Sequence, residues 1–360
     1  MNYLAITRPI SSLRLFFIFL IAIFAWSIFF PALNWPDEVY KISQVGIDSN
    51  IYLELMSRLS TNYCIVNYVY TSDGSYLSNQ FFFRMTSDGG CYYTLKYINA
   101  GFVVILAAIC LSLLWKKPYL RNLFALSLIW PAQIFYTTGV NQQAFFSIVS
   151  MFIIVSVIGS SFIIPYVALA GVMIFVDRSF VSLFIFLGAL IAMRWKPRLA
   201  LPVFILVSIA ALVGRPYIEG LEVLFGSGQT VGDISGSLEN YYDSPILSLG
   251  LFLISFVYLG GTNSILGIGI DYILVLGTIL VRAFKKRKNA DMMAYFLSFI
   301  FTYFIVILFV PTIQTFRYYV FIVPLVLHFL VETEGDTKKY VAYCVAMNVI
   351  YLIQARIIYA

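Results

Sequence analysis

Charge is what this chain has least of. Lysine, arginine, aspartate and glutamate make up 11% of its 360 residues, against roughly a quarter in a typical soluble domain. So few charges cannot cover a water-facing surface, which excludes an ordinary soluble globular fold. Histidine occurs once, at position 328, and the four cysteines stand at 64, 91, 110 and 344. With no C-x-x-C pair and no His/Cys cluster, no pattern of that kind argues for a metal centre. No small-x-small cleavage site follows the first apolar run, so that run reads as a retained anchor and not as a signal peptide. Internal repeats are not evident, and the only acid inside an apolar run is Asp271. A lipid-linked glycan flippase or transporter calls for intramembrane charges and repeated halves, so that non-enzyme class is the weaker alternative.

What the chain does have is apolar and aromatic side chains, 61% and 18% of the total. Apolar runs of membrane-crossing length recur from end to end, so the expected fold is an all-α polytopic membrane protein, a single integral-membrane domain over residues 1–360. The first expected span is Leu13–Phe30, followed by a long polar loop, 34–96. In that loop Val39, Ile42 and Val45, then Ile51, Leu55 and Leu59, fall at helical spacing suited to interfacial helices. Further spans are expected at Tyr97–Trp115, Phe124–Thr138 with a break at Trp130-Pro131, Ala144–Ile158, Ile163–Val176, Phe180–Met193 and Leu199–Val213. A second polar loop, 214–245, precedes an interfacial or re-entrant helix and a span from Ile265. Met292–Val310, a tenth span ending at Val331, a charged turn at Glu332–Lys339 and a last span complete about eleven.

Orientation follows from where the few charges fall. Placing the N-terminus in the cytoplasm gathers Arg14, Lys116, Lys117, Arg121, Arg194, Lys196, Arg198 and Lys285-Lys-Arg-Lys288 on one side, and leaves most acids on the other. The net charge of +6 is therefore a topology signal, not a sign of nucleic-acid binding. Both polar loops then lie on the outer face, where Cys64 and Cys91 share a loop and an oxidising compartment permits a disulfide.

Just past the first span, Pro31-Ala-Leu-Asn-Trp-Pro-Asp-Glu38 sets Asp37 and Glu38 at the membrane edge. Arg178, Arg215 and Arg317 each stand at the outer mouth of a span, where arginine is expensive and tends to be kept for an anion. Carboxylates and arginines on one membrane face suit a reaction at a lipid phosphate. Asp37 or Glu38 would take the proton of an attacking sugar hydroxyl, and Arg317 with Arg178 and Arg215 would hold the departing phosphate. No cofactor is required by that chemistry, although Asp37, Glu38 and Asp48 could together hold a divalent cation. The plain alternatives are a solvated acidic loop, an Arg178 neutralised by Asp177, and headgroup anchors at Arg215 and Arg317.

A first span followed by Pro-Asp-Glu and a large outer loop resembles the GT-C superfamily of membrane glycosyltransferases. Trp130-Pro-Ala-Gln-Ile-Phe-Tyr-Thr-Thr-Gly-Val-Asn-Gln-Gln-Ala144 and Arg317-Tyr-Tyr-Val-Phe-Ile-Val-Pro324 are similar to segments of that superfamily. The resemblance implies an undecaprenyl-phosphate-linked sugar donor, a glycan or lipid-linked acceptor, and substrate contacts from Gln142 and Tyr318. It also implies a place in O-antigen or lipopolysaccharide assembly, at the outer face of a bacterial inner membrane. Asn141-Gln-Gln-Ala144 and Asp177-Arg-Ser-Phe180 resemble the O-antigen polymerases of the Wzy and EpsG type, which would imply a pyrophosphate-linked repeat unit as donor.

Overall fold

The computed structural model describes residues 11–29, 67–71, 80–84, 89–131, 133–134, 143–160, 162–174, 179–214, 281, 290–309, 319–330 and 334–359. These form α1 (Ser12–Phe29), β1 (Asn67–Thr71), β2 (Gln80–Arg84), α2 (Gly89–Leu113), α3 (Pro118–Leu128), α4 (Gln143–Ile158) and α5 (Ile164–Met173). They continue with α6 (Phe180–Trp195), α7 (Pro197–Gly214), α8 (Ala290–Phe309), α9 (Ile322–Leu330) and α10 (Glu334–Tyr359). The helices follow the apolar runs because a continuous helix satisfies every interior backbone group within its own segment.

Three helix starts differ from expectation. α2 begins at Gly89 instead of Tyr97, α3 at Pro118 instead of Phe124, and α10 at Glu334 inside the expected charged turn. Hydropathy marks which part of a helix is apolar, whereas the helix itself runs on through polar residues as long as backbone bonds continue. Pro118 starts α3 because its fixed φ suits the first turn and its missing N–H would have had no partner there. The all-helical expectation also omits the antiparallel pair β1–β2, whose register runs from Asn67↔Arg84 to Thr71↔Gln80.

α3 and α9 form the centre. α3 is buried from Asn122 through Leu128, and in and around α9 Tyr319, Val320, Phe321, Ile322 and Val323 are all buried. α9 packs on α3 and α4, and α6 packs on α5, α7 and α8. α1 lies against α2, α3 and α10. Contacts between named residues give the directions. Tyr119 at the start of α3 bonds His328 at the end of α9, and Arg194 at the end of α6 bonds Tyr295 near the start of α8. Leu126 and Ile129 meet Tyr340 and Asn348 in the same order, and Trp26 near the end of α1 joins Asn348 beside the end of α3, so α1, α3 and α10 run the same way.

The outer faces are as apolar as the core. On α1, Leu15, Phe19, Ile23 and Trp26 are buried, while Leu13, Phe17, Ile21, Phe24 and Ile28 on the opposite face are 37–64% exposed. α7 exposes Leu199, Leu201, Val203, Ile205, Leu206 and Ile209. Buried hydroxyls turn back on their own helices: Ser127 Oγ donates to the Leu123 carbonyl (2.9 Å), Ser182 Oγ to Ser179 (2.7 Å) and Thr302 Oγ1 to Ser298 (2.7 Å).

Among the described residues no helix is long and apolar enough to cross a membrane. α1 has 18 residues and α8 has 20. At about 1.5 Å per residue they reach about 27 and 30 Å, against a hydrocarbon core of about 30 Å. In the sequence the apolar runs continue beyond both described ends, through Phe30 and Val310.

Candidate functional site

Asp37, Glu38, Gln142, Arg178, Arg215, Arg317 and Tyr318 all lie outside the described residues, as do Asp48 and Cys64. Of the expected disulfide pair only Cys91 falls on a described element, in the first turn of α2. Cys110 and Cys344 are buried thiols in apolar helices, as their setting in the sequence predicts. Among the described residues no three metal-ligating side chains come together.

What the structure does place is the described residues that adjoin the candidates along the chain. Phe180, two residues after Arg178, packs edge-on against Phe146, four residues after Gln142, with ring centroids 4.9 Å apart. Phe145 meets the same ring at 6.2 Å. Tyr319, which directly follows Arg317-Tyr318, is buried against Tyr303 (5.2 Å) and Phe299 (6.0 Å). Two residues on, Phe321 reaches Phe186 of α6 at 5.2 Å. Aromatic contacts therefore tie the start of α4 to the start of α6, and the turn into α9 to the middle of α6 and of α8. α1, which leads toward Asp37 and Glu38, packs with α2, α3 and α10, whereas α7, which leads to Arg215, packs with α6 and α8.

The expected break at Trp130-Pro131 is present and is stabilised from another helix. α3 ends at Leu128, and helix resumes from Pro131 with Ile134 N–H donating to the Trp130 carbonyl (3.1 Å). A proline removes one ladder donor and disturbs the turn before it, leaving carbonyls to be satisfied from elsewhere. Tyr340 Oη donates to the Leu126 carbonyl (3.1 Å), and Asn348 Nδ2 donates to those of Ile129 (3.4 Å) and Cys344 (2.8 Å). Asn348 Oδ1 accepts Trp26 Nε1–H at 3.1 Å, and Trp130 stacks on Tyr340 at 6.1 Å and 16°. Asn348 is thus a buried junction of α1, α3 and α10. Sequence reasoning passed over it, although an asparagine inside an apolar run is the available signal.

At the other end, Tyr119 Oη and His328 Nδ1 form a short hydrogen bond, so the lone histidine is a bonded packing residue. Arg194 Nη2 donates to Tyr295 Oη at 2.8 Å, and its guanidinium lies 5.0 Å from that ring's centroid. Asp291 Oδ1 stands 3.8 Å from Arg194 Nε.

Comparison with protein-family models, with curated proteins and with solved structures gives no match.

Proposed function

We propose that the chain is an integral-membrane glycosyltransferase that moves a glycan from an undecaprenyl-phosphate carrier at the outer face of a bacterial inner membrane. Its N-terminus lies on the cytoplasmic side. The observation that carries the proposal is the aromatic contact that joins the starts of α4 and α6, beside Gln142 and Arg178, with the turn that follows Arg317-Tyr318 packed into the same apolar-faced bundle. A bundle whose outward faces are Leu, Ile, Phe and Val fits a lipid surround, because exposed apolar surface of that extent marks a membrane or partner contact. Alternating helix directions put the basic turns at the opposite end, in keeping with a cytoplasmic side.

In the proposed step, Asp37 or Glu38 accepts the proton of an acceptor hydroxyl while that oxygen bonds the donor's anomeric carbon. The anomeric carbon–phosphate oxygen bond breaks, and undecaprenyl phosphate leaves with its charge held by Arg317, Arg178 and Arg215. Tyr318 offers a ring for sugar stacking and Gln142 an amide for sugar hydroxyls.

The repeat-unit polymerase is the second reading, with undecaprenyl pyrophosphate as the leaving group. The Phe146–Phe180 contact favours it, since it joins the helix starts that follow Asn141-Gln142 and Asp177-Arg178.

Complementation of a deletion strain, read as polysaccharide banding, separates the readings. A complete ladder missing one sugar marks a single-sugar transferase, whereas single units without a ladder mark a polymerase. Asp37→Asn and Glu38→Gln are expected to lower transfer by about 100-fold or more for whichever carboxylate is the base. Full activity in both variants would remove the general-base assignment.

A further inference from the structure

Two corners of the bundle are built alike. At the first, α2 gives way to Trp115-Lys116-Lys117 and Pro118 opens α3; at the second, α6 ends in Trp195, followed by Lys196, and Pro197 opens α7. Trp115 is 71% exposed and Trp195 80% exposed, the two most exposed large apolar side chains among the described residues. Lys116, Lys117, Lys196 and Arg198 are exposed beside them. Each corner is braced by a stacked arginine. Arg121 lies 4.7 Å over the Trp115 ring and donates to the Trp115 carbonyl (3.4 Å), and Arg194 lies over Tyr295.

A continuous line of contacts joins the corners. Tyr119 bonds His328, His328 touches Phe329 (4.8 Å), Phe329 touches Tyr295 (5.9 Å), and Tyr295 bonds Arg194. Both corners therefore lie at one end of the bundle. Arg14, Lys338 and Lys339 are exposed at the starts of the parallel helices α1 and α10, at that same end. The acids described there are Asp291, Glu334 and Asp336, too few to neutralise the cations.

We propose that this end is a docking surface for anionic phospholipid headgroups, with Trp115 and Trp195 seated at headgroup depth and Lys116, Lys117, Lys196 and Arg198 meeting the phosphates. Charge complementarity selects the occupant, and the indole rings select a membrane interface: an amphipathic ring settles where one side is apolar and the other wet. The cations sit within a residue or three of the rings, inside the Debye length over which anionic lipid attracts them. The proposal rests on the membrane reading and not on glycosyl transfer, so complementation can fail while lipid selection holds.

The test uses the full chain in nanodiscs of phosphatidylcholine carrying a fixed fraction of either brominated phosphatidylglycerol or brominated phosphatidylcholine. Tryptophan quenching is read against a Trp115→Phe/Trp195→Phe variant to isolate the two rings. Phosphatidylglycerol is expected to quench them several-fold more strongly. The preference should fall in Lys116→Gln/Lys117→Gln and vanish when Lys196→Gln and Arg198→Gln are added. Equal quenching by the two lipids, or a preference unchanged in the four-site variant, would overturn the proposal. Should the four-site variant fail to fold by circular dichroism, a salt titration of the unaltered chain decides: selection falling with salt supports the proposal, and selection indifferent to salt sinks it.

Discussion

α9 and α7 are nearly identical in chemistry and opposite in situation. Ile322–Leu330 and Pro197–Gly214 are both runs rich in Leu, Val, Ile and Phe with almost nothing polar. Yet α9 is sheathed by α3, α4, α6 and α8, while α7 shows most of its length to the surroundings. In water that difference would be costly for α7, since withdrawing each large aliphatic side chain is worth about 1.5–3 kcal/mol. The lipid surround proposed above would remove the penalty, because acyl chains are as apolar as the side chains they would touch. α1 makes the same point within one helix: its inner and outer faces have one composition and two fates.

The comparison is open to direct attack. Truncating the centre should hurt most. Phe321→Ala, at a fully buried ring held by Phe186, is expected to cost about 3–5 kcal/mol, read as loss of the folded fraction during denaturation in detergent. Next comes a charge on the outer face. Leu206→Lys, where the native side chain is 67% exposed, should cost about 2.5–3.5 kcal/mol of insertion, measured as the membrane-integrated fraction in a translocation assay. A neutral result there would mean that α7 faces water and would break the comparison. Asn348→Leu leaves Trp26 Nε1–H and the Ile129 carbonyl without this partner, a loss of about 1–3 kcal/mol that thermal unfolding would report. Gly171→Ala should be smallest, below about 1 kcal/mol, since an added Cβ would lie 3.3 Å from the Phe184 ring and ask for only a slight shift.

Much of the helical layout was legible along the chain. α1 and α4 match their apolar runs to within a residue, and the Trp130-Pro131 break stands where proline demands one. Helix starts were less legible, because Pro118 and the polar residues after Gly89 are helical without being apolar. β1 and β2 escaped because the hydropathy that signals spans is blind to a short pair set among turn residues. The candidate carboxylates and arginines were read from residue type and position alone, and they lie outside the described residues. The positions that were not legible are junctions such as Asn348 and Arg194–Tyr295, whose partners stand about 100 residues or more away and meet only on packing.

The sequence by itself determined that this chain makes apolar helices, where most of them lie, and which ends carry positive charge, because those properties reside in local composition and in the order of charged turns. Only the tertiary structure decided which apolar face is inside. It alone set α9 at the centre, joined Trp26 to Asn348, and brought Phe146 near the start of α4 onto Phe180 at the start of α6. Where both faces of a helix are equally apolar, burial is chosen by the fit of partner side chains, and that fit is not written in any single segment.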